Sequence, residues 1–342
     1  MKYKLSIIVS SVVIAGAVVI LSIYFGIQSE VFNATENTHT KVYEDATSSS
    51  QITKQEYNES PESFATSTDN EATSSNQAIK KEYPETAESF STTDSEKFVE
   101  NFDIAYTVKE AGNMNESNNE HWWLSSGGYF YNKEGVGSTI AGNLSEMDPR
   151  RIAHAASNAL DTDDGYHPQN IFRLVLRSTW KDFQQEAYFK VVNDNLSASP
   201  YRNESNGLLF FNRYQDAFNL YYTGIRVDGY ATIKKKINGT YYTLAYEPFN
   251  TFTNPYDRDT NPNLLPKQQW VGMRSEIETN SDNTVSIKLY IDETKTGNWV
   301  LVAEAIDDGI SYGGPVFDEG HAGIRTDFMD VEFDNYSIKS RL

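Results

Sequence analysis

From residue 98 onward, hydrophobic side chains recur at every second position. Val285, Ile287, Leu289 and Ile291 fall on one side of an extended segment, and Ser286, Lys288 and Tyr290 on the other. That is the period of a strand with one buried face. Phe172, Leu174 and Leu176 alternate with Arg173, Val175 and Arg177 in the same manner. Turn signals separate such segments about every eight to twelve residues, the spacing of sandwiches and barrels. Two of them are specific. Asp228-Gly229 and Asn238-Gly239 each stand between β-rich runs, and these dipeptides supply the positive φ angles of two-residue hairpins. They predict a three-stranded meander over residues 217–246. Within this region only residues 148–160 read as a helix, with Asp148 as N-cap and Pro149 at the first helical position. The rest accommodates roughly twelve to fourteen strands, which implies two packed antiparallel sheets. All five tryptophans (122, 123, 180, 270 and 299) lie in residues 99–342, a length that buries one sizeable core as a single domain.

The preceding residues follow other rules. Residues 5–27 form an uncharged apolar run behind Lys2 and Lys4, and as a helix they would span the roughly 30 Å of bilayer hydrocarbon. A cleaved signal peptide is the competing reading. Its apolar stretch is only about 7 to 15 residues, and cutting after Ala15-Gly16-Ala17 would leave an apolar N-terminus. We therefore expect residues 1–28 to be an uncleaved signal-anchor with the lysines in the cytoplasm and everything after Gln28 facing outward at the cell membrane. Residues 29–98 are rich in Ser, Thr, Glu, Asn and Gln and hold five lysines against 14 acids, a composition that cannot bury enough apolar area to offset chain entropy. They read as a disordered stalk with an end-to-end distance of roughly 45 Å. The stalk carries a degenerate repeat, KQEYNESPESF at residues 54–64 and KKEYPETAESF at residues 80–90. It reads either as a docking motif presented twice or as a duplicated spacer.

Charge and composition exclude several functions. With 29 Lys plus Arg against 48 Asp plus Glu, the net charge is -19. Nucleic acids and anionic membrane surfaces are bound through clustered Lys and Arg, so neither is expected as a partner. The absence of Cys removes disulfides, thiolate nucleophiles, zinc-thiolate sites and iron-sulfur clusters. The five His show no metal-ligand spacing.

Three segments, GLLFFNRY at 207–214, NLYYTGIR at 219–226 and DGYATIKK at 228–235, resemble the central meander of concanavalin A-like lectin/glucanase jelly rolls, including laminin-G-like modules. Leu289-Tyr290-Ile291-Asp292, Gly297-Asn298-Trp299, Gly323-Ile324-Arg325 and Phe333-Asp334-Asn335-Tyr336-Ser337-Ile338 continue the pattern. The resemblance covers residues 99–340 and implies a two-sheet antiparallel jelly-roll sandwich. It speaks for fold more than for activity.

Glycosidases of this family place acids on alternate residues of one strand, so that a general acid and a nucleophile flank the glycosidic bond about 5 Å apart. Asp330-Val331-Glu332-Phe333-Asp334 offers Asp330, Glu332 and Asp334, but in the order D-x-E-x-D and on the closing strand. The resemblance also implies a structural Ca2+ held by Asp334 and Asp103. A second calcium candidate is Asp257, Asp259 and Asn261, which alternate in a polar loop without the EF-hand glycine; Asp161-Thr162-Asp163-Asp164-Gly165 sets its glycine one place too early. A lyase could be assembled from Arg173, Arg177, His167 and Tyr166, although nothing in their spacing brings them together. Sugar binding asks less: aromatic rings stack on pyranose faces and polar groups read the hydroxyls. Trp122, Trp123, Tyr129, Tyr131, Tyr221, Tyr222, Tyr241 and Tyr242 are the candidates, with adjacent pairs sending one ring to each face of a strand. Eight N-x-S/T sequons, at Asn33, Asn58, Asn115, Asn143, Asn195, Asn203, Asn238 and Asn335, are glycosylation acceptors in an outward-facing chain. The expected function is non-catalytic binding of a glycan or another cell-envelope ligand. A glycoside hydrolase or polysaccharide lyase is the first rival, and an adhesive envelope protein with protein partners the second.

Overall fold

The computed structural model describes residues 96–250 and 252–341. The expected anchor and all but the last three residues of the stalk, including both repeats, Asn33 and Asn58, lie outside the described residues. No described helix is long and apolar enough to cross a membrane.

Sixteen strands occur among the described residues: β1 Lys97–Glu100, β2 Tyr106–Lys109, β3 Trp122–Ser126, β4 Tyr129–Lys133, β5 Val136–Ser138, β6 Ile171–Trp180, β7 Phe183–Asp194, β8 Gly207–Asp216, β9 Asn219–Arg226, β10 Tyr230–Ile237, β11 Thr240–Pro248, β12 Trp270–Thr279, β13 Val285–Asp292, β14 Val300–Asp307, β15 Gly320–Asp327 and β16 Met329–Ser340. One sheet has nine strands in the order β14-β13-β12-β7-β16-β5-β4-β2, with β1 also paired to β16; the other has seven, in the order β11-β10-β9-β8-β15-β6-β3. Two antiparallel sheets in this order form a concanavalin A-like sandwich. The count exceeds the twelve to fourteen expected because β1, β2 and β5 hold only three or four residues each, too few to carry a period. β1 takes in Lys97 and Phe98 from the end of the expected stalk.

The alternation does what it predicts. Val285, Ile287, Leu289 and Ile291 are buried between the sheets, and the meander forms as β9, β10 and β11, with Gly229 and Gly239 at positive φ in its two turns. The sheets meet through aromatic rings. Phe333 of β16 stacks on Phe172 of β6 at 5.7 Å, and Phe189 of β7 meets Phe210 of β8 at 5.5 Å. Each such ring contributes roughly 1.5–3 kcal/mol by leaving water. Helix α1 (Pro149–Ser157) starts as predicted, with the Asp148 side chain accepting from the Arg150 amide, and stops at Asn158.

The seven-stranded sheet has a second apolar layer on its outer side. Val175, Leu209, Phe211, Tyr214, Leu220 and Tyr222 cluster there, with Met114, Trp123 and Tyr241 packed against them. A sheet face that only met solvent would be polar. This one is built differently.

Candidate functional site

The outer side of the seven-stranded sheet ends, at the tip of the meander, in a tyrosine-walled cavity. Ala231 and Ile233 of β10 point into the core, so Tyr230 and Thr232 point outward. On β11 the register shifts by one residue opposite Ile233 and Lys234, and the shift pairs Tyr246 with Thr232. Without it, Tyr246 would face Ala231 and turn inward. The shift sets Tyr246 diagonally against Tyr230, with ring centroids 4.2 Å apart and an interplanar angle of 4°. The Arg226 guanidinium from β9 lies 4.8 Å from the Tyr246 ring centre and 2.9 Å from Asp228 Oδ2. The Tyr246 hydroxyl donates to the same carboxylate at 2.7 Å.

Glu204, Pro248, Asn250, Phe252, Pro255, Tyr256 and Leu264 complete the walls of an open cavity of about 420 Å³. Gly229 is required at its edge: its φ is +86°, and a Cβ there would stand 2.2 Å from the Phe252 ring. Burial pushes the Tyr256 hydroxyl up to about 12 and, with the Asp228 hydrogen bond, raises that of Tyr246 further. Both remain protonated donors at neutral pH. Burial also raises the Asp228 carboxyl, against the pull of Arg226 and the Tyr246 hydroxyl toward the charged form. The cavity therefore combines flat aromatic walls, hydroxyl donors and two carboxylates, the inventory that grips a sugar by its C–H face and its hydroxyls.

From this cavity the face continues along the strands. Tyr241 lies 6.0 Å from Tyr222 in a stacked arrangement, with Lys236 4.7 Å from its ring centre. Arg325 donates to the Tyr222 hydroxyl at 3.1 Å and pairs with Asp327 at 2.9 Å.

The eight expected aromatic contacts are thus dispersed. Tyr222, Tyr241 and Trp123 share the outer face of the seven-stranded sheet. Trp122 and Tyr221 are core residues, and Tyr221 donates to Asp307. Tyr129 and Tyr131 stack at 5.8 Å on β4 of the other sheet, and Tyr242 lies against Gly313. Tyr230, Tyr246, Arg226 and Asp228 escaped the sequence reading because their convergence depends on the β11 register shift, which no local pattern marks.

The acids of β16 do not converge on a substrate groove. Asp330 is only 2% exposed and accepts from the Gly142 amide at 2.8 Å, Gln169 at 3.0 Å and Asn195 at 3.1 Å. Glu332 pairs with Lys190, and Asp334 with Lys295. Each acid is already matched by donors or a lysine of the domain itself. Asp103 is exposed near Gly135. Asp257 Oδ1 faces three donors, the amides of Asp259 and Thr260 and the Thr260 hydroxyl, Asp259 pairs with Arg202, and Asn261 donates to Pro255. Carboxylates turned to N–H and O–H donors suit a self-capped turn and do not fit a calcium ion. Among the described residues no group of three or more His, Asp or Glu could hold a metal. The four lyase candidates have separate partners: His167 lies between Asp163 and Asn143, Arg177 donates to Asn119, Tyr166 takes Arg151, and Arg173 lies on β6 opposite Arg325. Of the sequons, Asn115, Asn143, Asn238 and Asn335 are exposed and Asn203 is half-buried. Asn195 is buried with its amide nitrogen committed to Asp330, so a glycan does not fit there in the folded domain.

No family model and no curated protein matches the chain. Among solved structures it is similar to the carbohydrate-binding module CBM66 from Bacillus subtilis, at 16% identity over 65% of this chain and 98% of that one, with a TM-score of 0.39. It is also similar to a protein of unknown function with a galectin-like fold from Bacillus subtilis (13% identity, 64% and 89% covered, TM-score 0.37). A third likeness is to a prokaryotic β-1,3-1,4-glucanase (lichenase) derived from a mouse hindgut metagenome (9% identity, 72% and 99% covered, TM-score 0.37). All three scores lie below 0.5, and the sandwich stands on its own strand order.

Proposed function

We propose that this is a single-pass, surface-displayed protein whose sandwich, residues 99–342, binds a glycan without cleaving it. Residues 1–28 anchor the chain in the cell membrane and residues 29–98 hold the sandwich away from it; the charge-free run behind Lys2 and Lys4 and the acidic, aliphatic-poor stretch that follows support this reading. The observation that carries the binding function is the open cavity of about 420 Å³ walled by Tyr230, Tyr246, Phe252 and Tyr256, with Asp228 and Glu204 beside them. The rings supply stacking surfaces for pyranose faces, and the carboxylates and hydroxyls supply acceptors and donors.

The two carboxylates also keep a hydrolase reading in view, because acid pairs cleave glycosides. Asp228 is held by Arg226 and the Tyr246 hydroxyl, which favours a positioning role. Affinity electrophoresis through gels cast with neutral and anionic polysaccharides tests both readings. At least one polysaccharide retards the wild-type protein, and Tyr246→Ala, at a side chain 38% exposed and with its fold checked by circular dichroism, weakens binding about tenfold, or about 1.4 kcal/mol. Reducing ends released from the retarding polysaccharide would identify a hydrolase instead. No retardation on any gel would remove the glycan reading.

A further inference from the structure

Lys235 and Asp307 form a fully buried charge pair near one edge of the sandwich. Lys235 belongs to β10 of the seven-stranded sheet and Asp307 closes β14 of the nine-stranded sheet. Both side chains are 0% exposed, and Nζ lies 2.8 Å from Oδ2. The ring centres of Tyr221 and Phe317 stand 5.9 Å and 5.6 Å from Nζ, and the Gly314 carbonyl accepts from it at 2.8 Å. Burying two charges carries a desolvation cost that their attraction has to offset. A neutral product of the pair would not carry that cost.

The carboxyl is surrounded by the groups that acyl chemistry needs. The Gly309 amide donates to Oδ1 at 3.0 Å, where negative charge would develop on attack at the carbonyl carbon. The Tyr221 hydroxyl donates to Oδ2 at 2.6 Å, placing a proton donor on the other oxygen. Burial, followed by its contact with Asp307, raises that hydroxyl well above the usual tyrosine range, so it stays protonated. The amine and the leaving-group acid both lie against Oδ2, and the oxyanion donor lies against Oδ1.

We propose that Lys235 and Asp307 condense spontaneously into an isopeptide bond that ties the two sheets together. Proton transfer from the ammonium to the carboxylate gives the neutral amine and neutral acid that react. Nζ attacks Cγ, Oδ1 takes the charge against the Gly309 amide, and the Cγ–Oδ2 bond breaks. Oδ2 leaves as water, carrying the two protons that the ammonium loses, one of them relayed through the Tyr221 hydroxyl, which is regenerated. Ammonium plus carboxylate gives amide plus water, with no oxidant, reductant or cofactor. In a chain without cysteine, such a bond does the cross-linking that a disulfide does elsewhere.

The test is mass spectrometry of the purified full-length chain under denaturing conditions. The wild type is lighter than its sequence by one water and yields a branched peptide joining the Lys235 and Asp307 segments. Asp307→Ala and Lys235→Met each restore the full mass, and Tyr221→Phe slows the loss of water about a hundredfold. Should the first two variants fail to fold, the wild-type mass decides by itself. A wild-type chain of full mass after prolonged incubation at neutral pH, with Lys235 cleaved normally by trypsin, overturns the proposal.

Discussion

On β16 three acids two residues apart meet two different fates. Asp330 sits behind a register shift between it and Val331 and takes three donors from Gly142, Gln169 and Asn195, remote in the chain. Glu332 and Asp334 each meet one lysine on the outer face. Replacing Asp330 by alanine strands buried donors, so Asp330→Ala costs about 3 kcal/mol in urea denaturation. Glu332→Gln, at a half-exposed pair, costs less than about 1 kcal/mol. A catalytic role for the acids would give the opposite pattern, with stability kept and turnover lost. The D-x-E-x-D spacing was legible in the sequence, whereas the burial of Asp330 was not, because its partners arrive from the loop after β5, the segment before β6 and the end of β7. The same contact silences the sequon at Asn195, whose side-chain nitrogen has no room for a sugar.

At the level of elements, strands and hairpins follow from alternation and turn chemistry, and the site follows from an irregularity. The β9-β10-β11 meander was readable from Asp228-Gly229 and Asn238-Gly239. The one-residue shift on β11 was not, and that shift moves Tyr246 from the inner to the outer face and brings it against Tyr230. A second local device closes the turn after β14. The Asp308 carboxylate accepts from the Ser311 hydroxyl, then from the Ser311 and Ile310 amides, and these bonds hold it down at about 2 from an ordinary value of 3.8. A depressed carboxyl stabilises its turn fully above the ordinary value and loses that contribution as the pH falls through the depressed one. The protection factors of the Ile310 and Ser311 amides, each rate corrected for intrinsic exchange at that pH, therefore hold above pH 3.8 and fall as the pH drops toward about 2. Protection unchanged across that window would show that Asp308 does not cap the turn.

Across the whole molecule, two sheets are joined by an aromatic core that also carries a polar thread. The Tyr336 hydroxyl donates to Gln185, Gln185 donates to Asn212, and Asn212 accepts from Ser275 and donates to Thr223. A satisfied buried network of this kind fixes the register of one sheet on the other. Period and turns made the sandwich legible from the sequence, since both are local; the polar thread, the Lys235–Asp307 pair and the tyrosine cavity each join residues from separate strands and became visible only in the folded chain. The central claim, that this fold presents a glycan-binding cavity at the tip of its meander, is tested most directly by a glycan-array screen of the full-length chain, with and without EDTA. Binding to a defined set of oligosaccharides, unchanged by EDTA because the cavity walls rely on rings, hydroxyls and carboxylates and, among the described residues, hold no cluster that could bind a metal, and weakened about tenfold in Tyr246→Ala, is the predicted result. No binding in either condition, or binding indifferent to Tyr246, would contradict it.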